Sequence, residues 1–378
     1  MAGIYVHIPF CRKLCYYCDF HFSVSLKRKD AVVESILKEI ELRKNYLGSE
    51  KIQTIYLGGG TPSVLNIQEI NAIFEKVFRD FVVSEDVEIT MEANPDDLKP
   101  EYLKVLYEES PVKRLSIGIQ SFRDEDLKIM NRRHTAKEAI TAVRNSQEAG
   151  FDNINIDLIY GIPGLNTEAW KNNLAEAFDL GIQHISAYHL TFEPKTVFWR
   201  YVSQGKLKPV NENLSLEQFE WLVRETSNHG FTHYEISNFA REGFYSKHNT
   251  NYWKHRKYLG IGPSAHSYNL TSRQWNVANN AKYIEALENN IVPFEKEELD
   301  PDTIYNDYLL TSLRTMWGAN IIHMRNEIGE KYVTHFLHYS RKFIDNGEMV
   351  RTGDTFVLSQ KGKFLVDYII SGLMYVEK

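Results

Sequence analysis

Cysteine is scarce in this chain, three among 378 residues, and the three are crowded into one short segment as Cys11, Cys15 and Cys18. An odd, clustered set with nothing to mark secretion excludes a disulfide framework. Long hydrophobic runs are also missing. Nothing approaches the roughly 18 apolar residues of a membrane helix, and Met1–Phe10 has neither the charged start nor the apolar core of a signal peptide. Contact with a membrane is therefore expected at its periphery at most, and the reduced thiols predict a cytoplasmic protein. Cationic excess is absent too. A formal net charge of −6 argues against nucleic-acid binding, which draws on a basic face, and the few cations near Lys361 and Lys363 are too sparse for a recognition helix. What remains is ordinary globular composition, 43% hydrophobic and 25% charged. The length exceeds that of one hydrophobic core and predicts one large domain with smaller ones.

Short β-branched runs alternate with helical periodicity from the start, the pattern of βαβ units in a parallel sheet. Ile4–Ile8 reads as the first strand and ends just before the cysteines. Asp30 is the expected cap of a helix that places Val33, Ile36, Leu37 and Ile40 on one face, with Gly48 as its stop. Thr54–Leu57 is a second strand, running into Gly58-Gly59-Gly60-Thr61-Pro62. A helix with Ile70, Ile73, Phe74, Val77 and Phe78 inward follows. Further strands are predicted at Val87–Glu92, Leu115–Gln120, Ile154–Leu158 and Ile185–Leu190. Between them lie a helix opened by the capping box Thr135–Glu138 and another capped by Thr167. Six such units over residues 1–230 fall short of the eight of a closed barrel. The fold class is thus α/β, a partial (βα)6 TIM-like barrel. Residues 231–300 read as a loop-rich segment, and 301–378 as a mainly helical, winged-helix-like domain with helices at Ile304–Met316 and Met324–Ser340.

Thiolates are soft ligands suited to zinc, copper(I) or iron–sulfur iron. Both a structural zinc and an ordinary [4Fe–4S] cluster use four protein ligands. Three thiolates on a cubane leave one iron open to a small molecule. Two other readings stand beside this one: buried free thiols that serve only packing, and a Cys3His zinc site completed by His7 or His21.

The local sequence separates these readings. Tyr5-Val6-His7-Ile8-Pro9-Phe10 ahead of the CxxxCxxC spacing resembles the radical SAM enzymes, and more narrowly the branch holding the oxygen-independent coproporphyrinogen oxidase HemN and the HemW proteins. The resemblance implies Cys11, Cys15 and Cys18 as ligands of a [4Fe–4S] cluster whose open iron is chelated by S-adenosylmethionine. In that family one electron, from a donor such as flavodoxin or ferredoxin, cleaves the sulfonium to a 5′-deoxyadenosyl radical. Tyr17 matches the aromatic that packs on adenine, and Tyr5 joins the implied contacts. Gly59, Gly60 and Thr61 match the family's methionine-binding GGGTP, where glycine lets backbone approach the ligand. Glu92 in MEANP, Gln120 in GIQSF, Arg132 in MNRRH and Asp157 in IDLIYGIPG correspond to positions that contact S-adenosylmethionine, and Thr191 to a backbone contact. As a set they suit the ligand: carboxylates for an amino group and ribose hydroxyls, Arg for a carboxylate. Singly, each is also readable, as the lesser alternative, as a helix cap or a barrel-lip ion pair.

Two features set the chain apart from the oxidase. The oxidase carries a fourth cysteine two residues after the third, where this chain has Phe20. Beyond the expected barrel, His248-Asn249-Thr250-Asn251-Tyr252-Trp253 matches the HNxxYW signature of HemW-type haem chaperones. That resemblance implies haem as a ligand, with His248 as an axial imidazole, Tyr252 and Trp253 as flat surface for the porphyrin, and Lys254 and Arg256 for its propionates. His255 and His266 are the alternative ligands. The implied activity is transfer of haem to an acceptor protein such as a cytochrome. The alternative is coproporphyrinogen III dehydrogenation in porphyrin biosynthesis.

Overall fold

All six expected strands form: β1 (Ala2–Ile8), β2 (Ile52–Gly59), β3 (Val83–Ala93), β4 (Arg114–Gln120), β5 (Asn153–Tyr160) and β6 (His184–His189). Each pairs in parallel with the next in chain order. The computed structural model describes residues 1–377. The strands are apolar on the face that meets the helices, as in Ile4, Val6 and Ile8 of β1 or Ile55 and Leu57 of β2, all buried. Polar side chains take the other face and point into the barrel, so one strand period of two supplies both core and site.

The helices between the strands begin largely where the capping chemistry predicts. Thr135 and Glu138 exchange both bonds of a capping box, and Asn66 and Glu69 form a second one. Four expectations are corrected. Asn166, not Thr167, caps the helix Thr167–Asp179 after β5, because its side chain accepts the Ala169 N–H while Thr167 is already helical. Asp30 lies inside the first turn of Lys29–Leu42, and Gly48 stands beyond that helix, in a turn with φ +61°. Phe78 is 43% exposed rather than inward.

The segment 231–300, read as loop-rich, instead extends the sheet at both edges. The strands β7 (Thr232–Glu235) and β8 (Asn238–Ala240) return antiparallel beside β6, while β9 (Lys257–Ile261) runs parallel to β1 and leads to β10 (His266–Tyr268), β11 (Ser272–Asn276) and β12 (Phe294–Glu298). The result is a twelve-stranded sheet whose terminal strands, β12 and β7, do not meet. Their brevity and polarity hid them: Phe294–Glu298 is Phe-Glu-Lys-Glu-Glu, which carries no apolar alternation.

From residue 301 a second hydrophobic core gathers around Tyr305, Leu309, Phe336, Phe356 and Ile369. It is built from helices Pro301–Ser312, Ile321–Glu327, Glu330–Asp345, Gln360–Phe364 and Val366–Ser371, with a three-stranded sheet. The long helix expected from Met324 is broken at Gly329, whose φ of +142° lets the chain turn between two helices. The hairpin Met349–Leu358 followed by a short helix supplies the expected wing.

A seven-residue helix, Lys247–Trp253, occupies the amino-terminal end of the barrel. The Glu88 carboxylate accepts the backbone N–H groups of Lys247 and His248 at its first turn, both at 3.0 Å. His248 is 2% exposed. Its Nδ1 is hydrogen-bonded with the Thr54 hydroxyl at 2.8 Å and its Nε2 with the Tyr252 hydroxyl at 2.8 Å, and its ring stacks on Tyr56. The expectation of His248 as an iron ligand at the barrel mouth is therefore corrected: it lies at the opposite end, with Nδ1 on Thr54 of β2 and Nε2 on Tyr252 of its own helix. Tyr252→Phe leaves a buried nitrogen without its partner, and denaturant unfolding should show a loss of about 1–2 kcal/mol. Wild-type stability in that variant would mean the hydrogen bond is not maintained in solution.

Candidate functional site

The carboxyl ends of β1 to β6 surround a cavity of about 410 Å³, where parallel α/β folds place their chemistry. Cys11, Cys15 and Cys18 line it together with Tyr17, Gly59, Gly60, Thr61, Glu92, Gln120, Arg132 and Asp157. The sequence scatters these residues over nearly 150 positions (Cys11 to Asp157). Thr191 is on the same wall. Tyr5 is not: it turns to a separate cavity and donates its hydroxyl to His7 Nδ1 at 3.2 Å.

The thiols sit in a polar frame. The Thr61 hydroxyl donates to Cys11 Sγ at 3.4 Å and Arg132 Nη1 to Cys15 Sγ at 3.3 Å. Burial pushes the Cys11 thiol up to about 11 and the Cys18 thiol up to about 12, so both hold their protons until a metal displaces them. Among the described residues no three Cys, His, Asp or Glu side chains converge on one point as around a single ion. In a cubane each cysteine binds a different iron, which asks for wider spacing than one zinc does. The Cys3His alternative is not built here: His7 Nε2 donates to the His21 carbonyl at 2.9 Å and His21 Nε2 to Asn280 Oδ1 at 2.7 Å.

Gly60 and Gly59 show why this loop is glycine. A Cβ on Gly60 would stand 2.7 Å from the Phe10 carbonyl oxygen, and one on Gly59, at φ +105°, 2.5 Å from His7. The loop is pressed against the end of β1 and its cysteine segment. A bulky residue at position 60 would therefore disturb the β1 backbone as well as any bound ligand.

Of the site's two cations, Lys13 is exposed and Arg132 is the more buried. Its Nη2 donates to Asn94 Oδ1 at 2.5 Å and to the Gly118 carbonyl at 2.6 Å, while its buried Nε has no partner. An orphaned buried donor beside the cysteines fits a ligand carboxylate. Glu92 accepts from the Tyr56 hydroxyl at 2.8 Å and from the Gly59 N–H at 3.1 Å. Burial first, and then Asp157, raises the Glu92 carboxyl to about 7. Asp157 accepts from Asn155 Nδ2 at 2.8 Å and is itself raised, chiefly by burial. Two buried carboxyls facing one cavity suit a cationic ligand, which would hold both ionised. Gln120 ends β4 at φ +71°, a left-handed backbone rare outside glycine, and is 8% exposed. None of Glu92, Gln120, Arg132 and Asp157 caps a helix, and none forms an ion pair among the described residues. Asn94 was missed in the sequence. It bridges Arg132 and Thr61, donating to the latter at 3.0 Å, and the strand period from Glu92 was the signal for it.

The radical SAM superfamily model matches residues 5–177. The chain is 31% identical to the heme chaperone HemW of Bacillus subtilis, over 99% of each chain. It is 34% identical to the heme chaperone HemW of Lactococcus lactis, over 97% of each. The chain belongs to the HemW family of the radical SAM superfamily. Its fold is that of the radical SAM enzyme coproporphyrinogen III oxidase, HemN, from Escherichia coli: the two superpose with a TM-score of 0.85 at 22% identity, over 99% of this chain and 90% of that one. Among the described residues no helix is long and apolar enough to cross a membrane.

Membership of the superfamily implies a [4Fe–4S] cluster and S-adenosylmethionine, and the cavity's donors fit both. A second cavity, of about 590 Å³, lies between the β9–β11 edge and the helix Pro301–Ser312. Tyr252 borders it, while His248 and Trp253 do not. Asp19 and Phe20 line both cavities, so the residue that stands in place of the oxidase's fourth cysteine forms part of the wall between them.

Proposed function

We propose that this protein is a haem chaperone that carries a [4Fe–4S] cluster and S-adenosylmethionine, binds haem and passes it to an acceptor protein. The observation that carries the reading is the convergence of the three cysteines and eight further motif residues on one cavity, in a chain similar over its full length to proteins named heme chaperones. Cys11, Cys15 and Cys18 would hold the cluster. Arg132, through its free Nε, would take the carboxylate of S-adenosylmethionine, and Glu92 its amino group. Asp157 is positioned for the ribose hydroxyls, Tyr17 for the adenine, and Gly59, Gly60, Thr61 and Gln120 line the approach. When bound, the pair supplies one-electron chemistry at the sulfonium; the protein contributes orientation, charge and exclusion of water. Phe20 in place of a cysteine argues against coproporphyrinogen dehydrogenation.

Charge on Glu92 gives a direct test. A carboxyl raised to about 7 must lose its proton to accept a hydrogen bond from the uncharged amino group of an iron-bound ligand, so binding releases that proton and affinity rises from pH 6 to pH 8, by about tenfold. Glu92→Gln should weaken binding about 10- to 100-fold and flatten that pH profile, with iron content unchanged. The readout is the perturbation of the reduced cluster's EPR spectrum by S-adenosylmethionine. An unperturbed wild-type spectrum at saturation would rule out an open iron.

A further inference from the structure

We infer that haem binds in the second cavity, the one bounded by the β9–β11 edge, the cysteine-loop residue Phe20 and the helix Pro301–Ser312, with His266 as the iron ligand. The inference rests on the haem-chaperone reading and moves the iron ligand off the HNxxYW helix, whose Tyr252 still borders the cavity.

A porphyrin is a flat, largely apolar disc that needs aromatic walls, one nitrogen donor for its iron, and an opening for its propionates. At about 590 Å³ the cavity falls within the ordinary range for cofactor-sized ligands. Its walls are rings: Tyr252, Tyr258 and Tyr268 on one side, with Phe20 at the border of the cluster cavity. Tyr252 meets Tyr258 edge-on at 4.6 Å between centroids, and Tyr258 lies 6.1 Å from Tyr268. Phe20 is 67% exposed, a large apolar face left uncovered at the site where the disc would lie.

Four imidazoles face this space, and hydrogen bonding distinguishes them. His7 uses both nitrogens, accepting from Tyr5 and donating to the His21 carbonyl. His21 donates to Asn280, and His255 is hydrogen-bonded with the Thr311 hydroxyl. His21 and His255 each keep only Nδ1 open, while His266, exposed at the start of β10, has no side-chain hydrogen-bond partner among the described residues and so presents both ring nitrogens. Its ring rests against Trp275, 6.3 Å between centroids and 30° from parallel. It projects from a strand, which holds a ligand more firmly than a loop does. Although His266 is exposed, partial desolvation by the cavity walls, and then Arg273, hold it below its ordinary value, in the neutral form that iron requires. Arg273 is the cation lining the cavity, shared at present between Glu297 and Asp307, and a propionate would compete with Asp307 for it.

The experiment is a haemin titration of the cluster-loaded full chain, followed by the Soret band and by EPR of the ferric haem. His266→Gly should weaken binding at least tenfold and abolish the imidazole-ligated spectrum, and added free imidazole should restore that spectrum while iron–sulfur content stays at the wild-type level. Phe20→Ala should weaken binding without changing the ligand signature. A wild-type haem spectrum in His266→Gly, or a loss that imidazole does not restore, overturns this site. Failure of the wild-type chain to bind haemin overturns the chaperone reading beneath it.

Discussion

Replacing any one of Cys11, Cys15 and Cys18 by alanine should abolish iron–sulfur loading altogether, while the wild-type chain, reconstituted without oxygen, takes up about four iron and four sulfide per chain. The loss should be complete because these are the only thiols in the sequence, so no neighbour can substitute. It should also be specific. All three cysteines are only partly buried in a loop, and none belongs to the hydrophobic core, so far-ultraviolet circular dichroism should not change. Thr61→Ala removes the donor to Cys11 Sγ and should make the cluster more labile to air without preventing its assembly. Stoichiometric zinc in freshly purified protein, or a cluster that survives all three cysteine substitutions, would refute the assignment.

Acid should unfold this protein steeply. His7 and His255 are held down at about 4, His134, His233 and His248 at about 3, and His184 well below its ordinary value, in each case chiefly by burial. Their unfolded counterparts titrate near 6.5. A histidine with a depressed folded value contributes stability that is fully present above 6.5 and is lost as pH falls towards the folded value. Glu92 and Glu235, both raised to about 7 mainly by burial, act oppositely: their contribution is present below 4.5 and lost as pH rises through 7. The six histidines are opposed by these two carboxyls and by Asp97, Asp126, Asp157 and Asp307, also raised chiefly by burial, so the net uptake of protons on unfolding grows from about one near pH 6.5 to about three near pH 5. The slope is then on the order of 3 kcal/mol per pH unit, a loss of several kcal/mol over the two units below 6.5. Urea midpoints measured from pH 7.5 to 5 test this. A flat profile would mean that these imidazoles are protonated in the folded chain.

The barrel was legible because its strands obey one rule throughout, apolar residues towards the helices and polar ones inward. Glu92 and Asp157 were legible through the resemblance of their motifs rather than through the alternation, and the strands carry both to one cavity. Residues 231–300 escaped because short edge strands such as Phe294–Glu298 are paired through backbone and leave no apolar signature. Tyr5 was misplaced by proximity in sequence: it precedes the cysteines, yet its side chain points to the other cavity. His248 was misread for a more physical reason. A histidine beside aromatic residues suits a haem ligand and a hydrogen-bonded core residue equally well, and only the partners, Thr54 and Tyr252, decide between them. His266 stood out only once the hydrogen bonds of its three neighbours could be followed.

The helix Lys247–Trp253 turns the barrel into a vessel with a stopper at its base. With His248, Tyr252 and Tyr56 packed across that end, a small molecule that reaches Glu92 and Asp157 leaves by the way it entered. Exchange of whatever occupies the vessel is then timed at the rim, where Asp19 and Phe20 also face the neighbouring cavity.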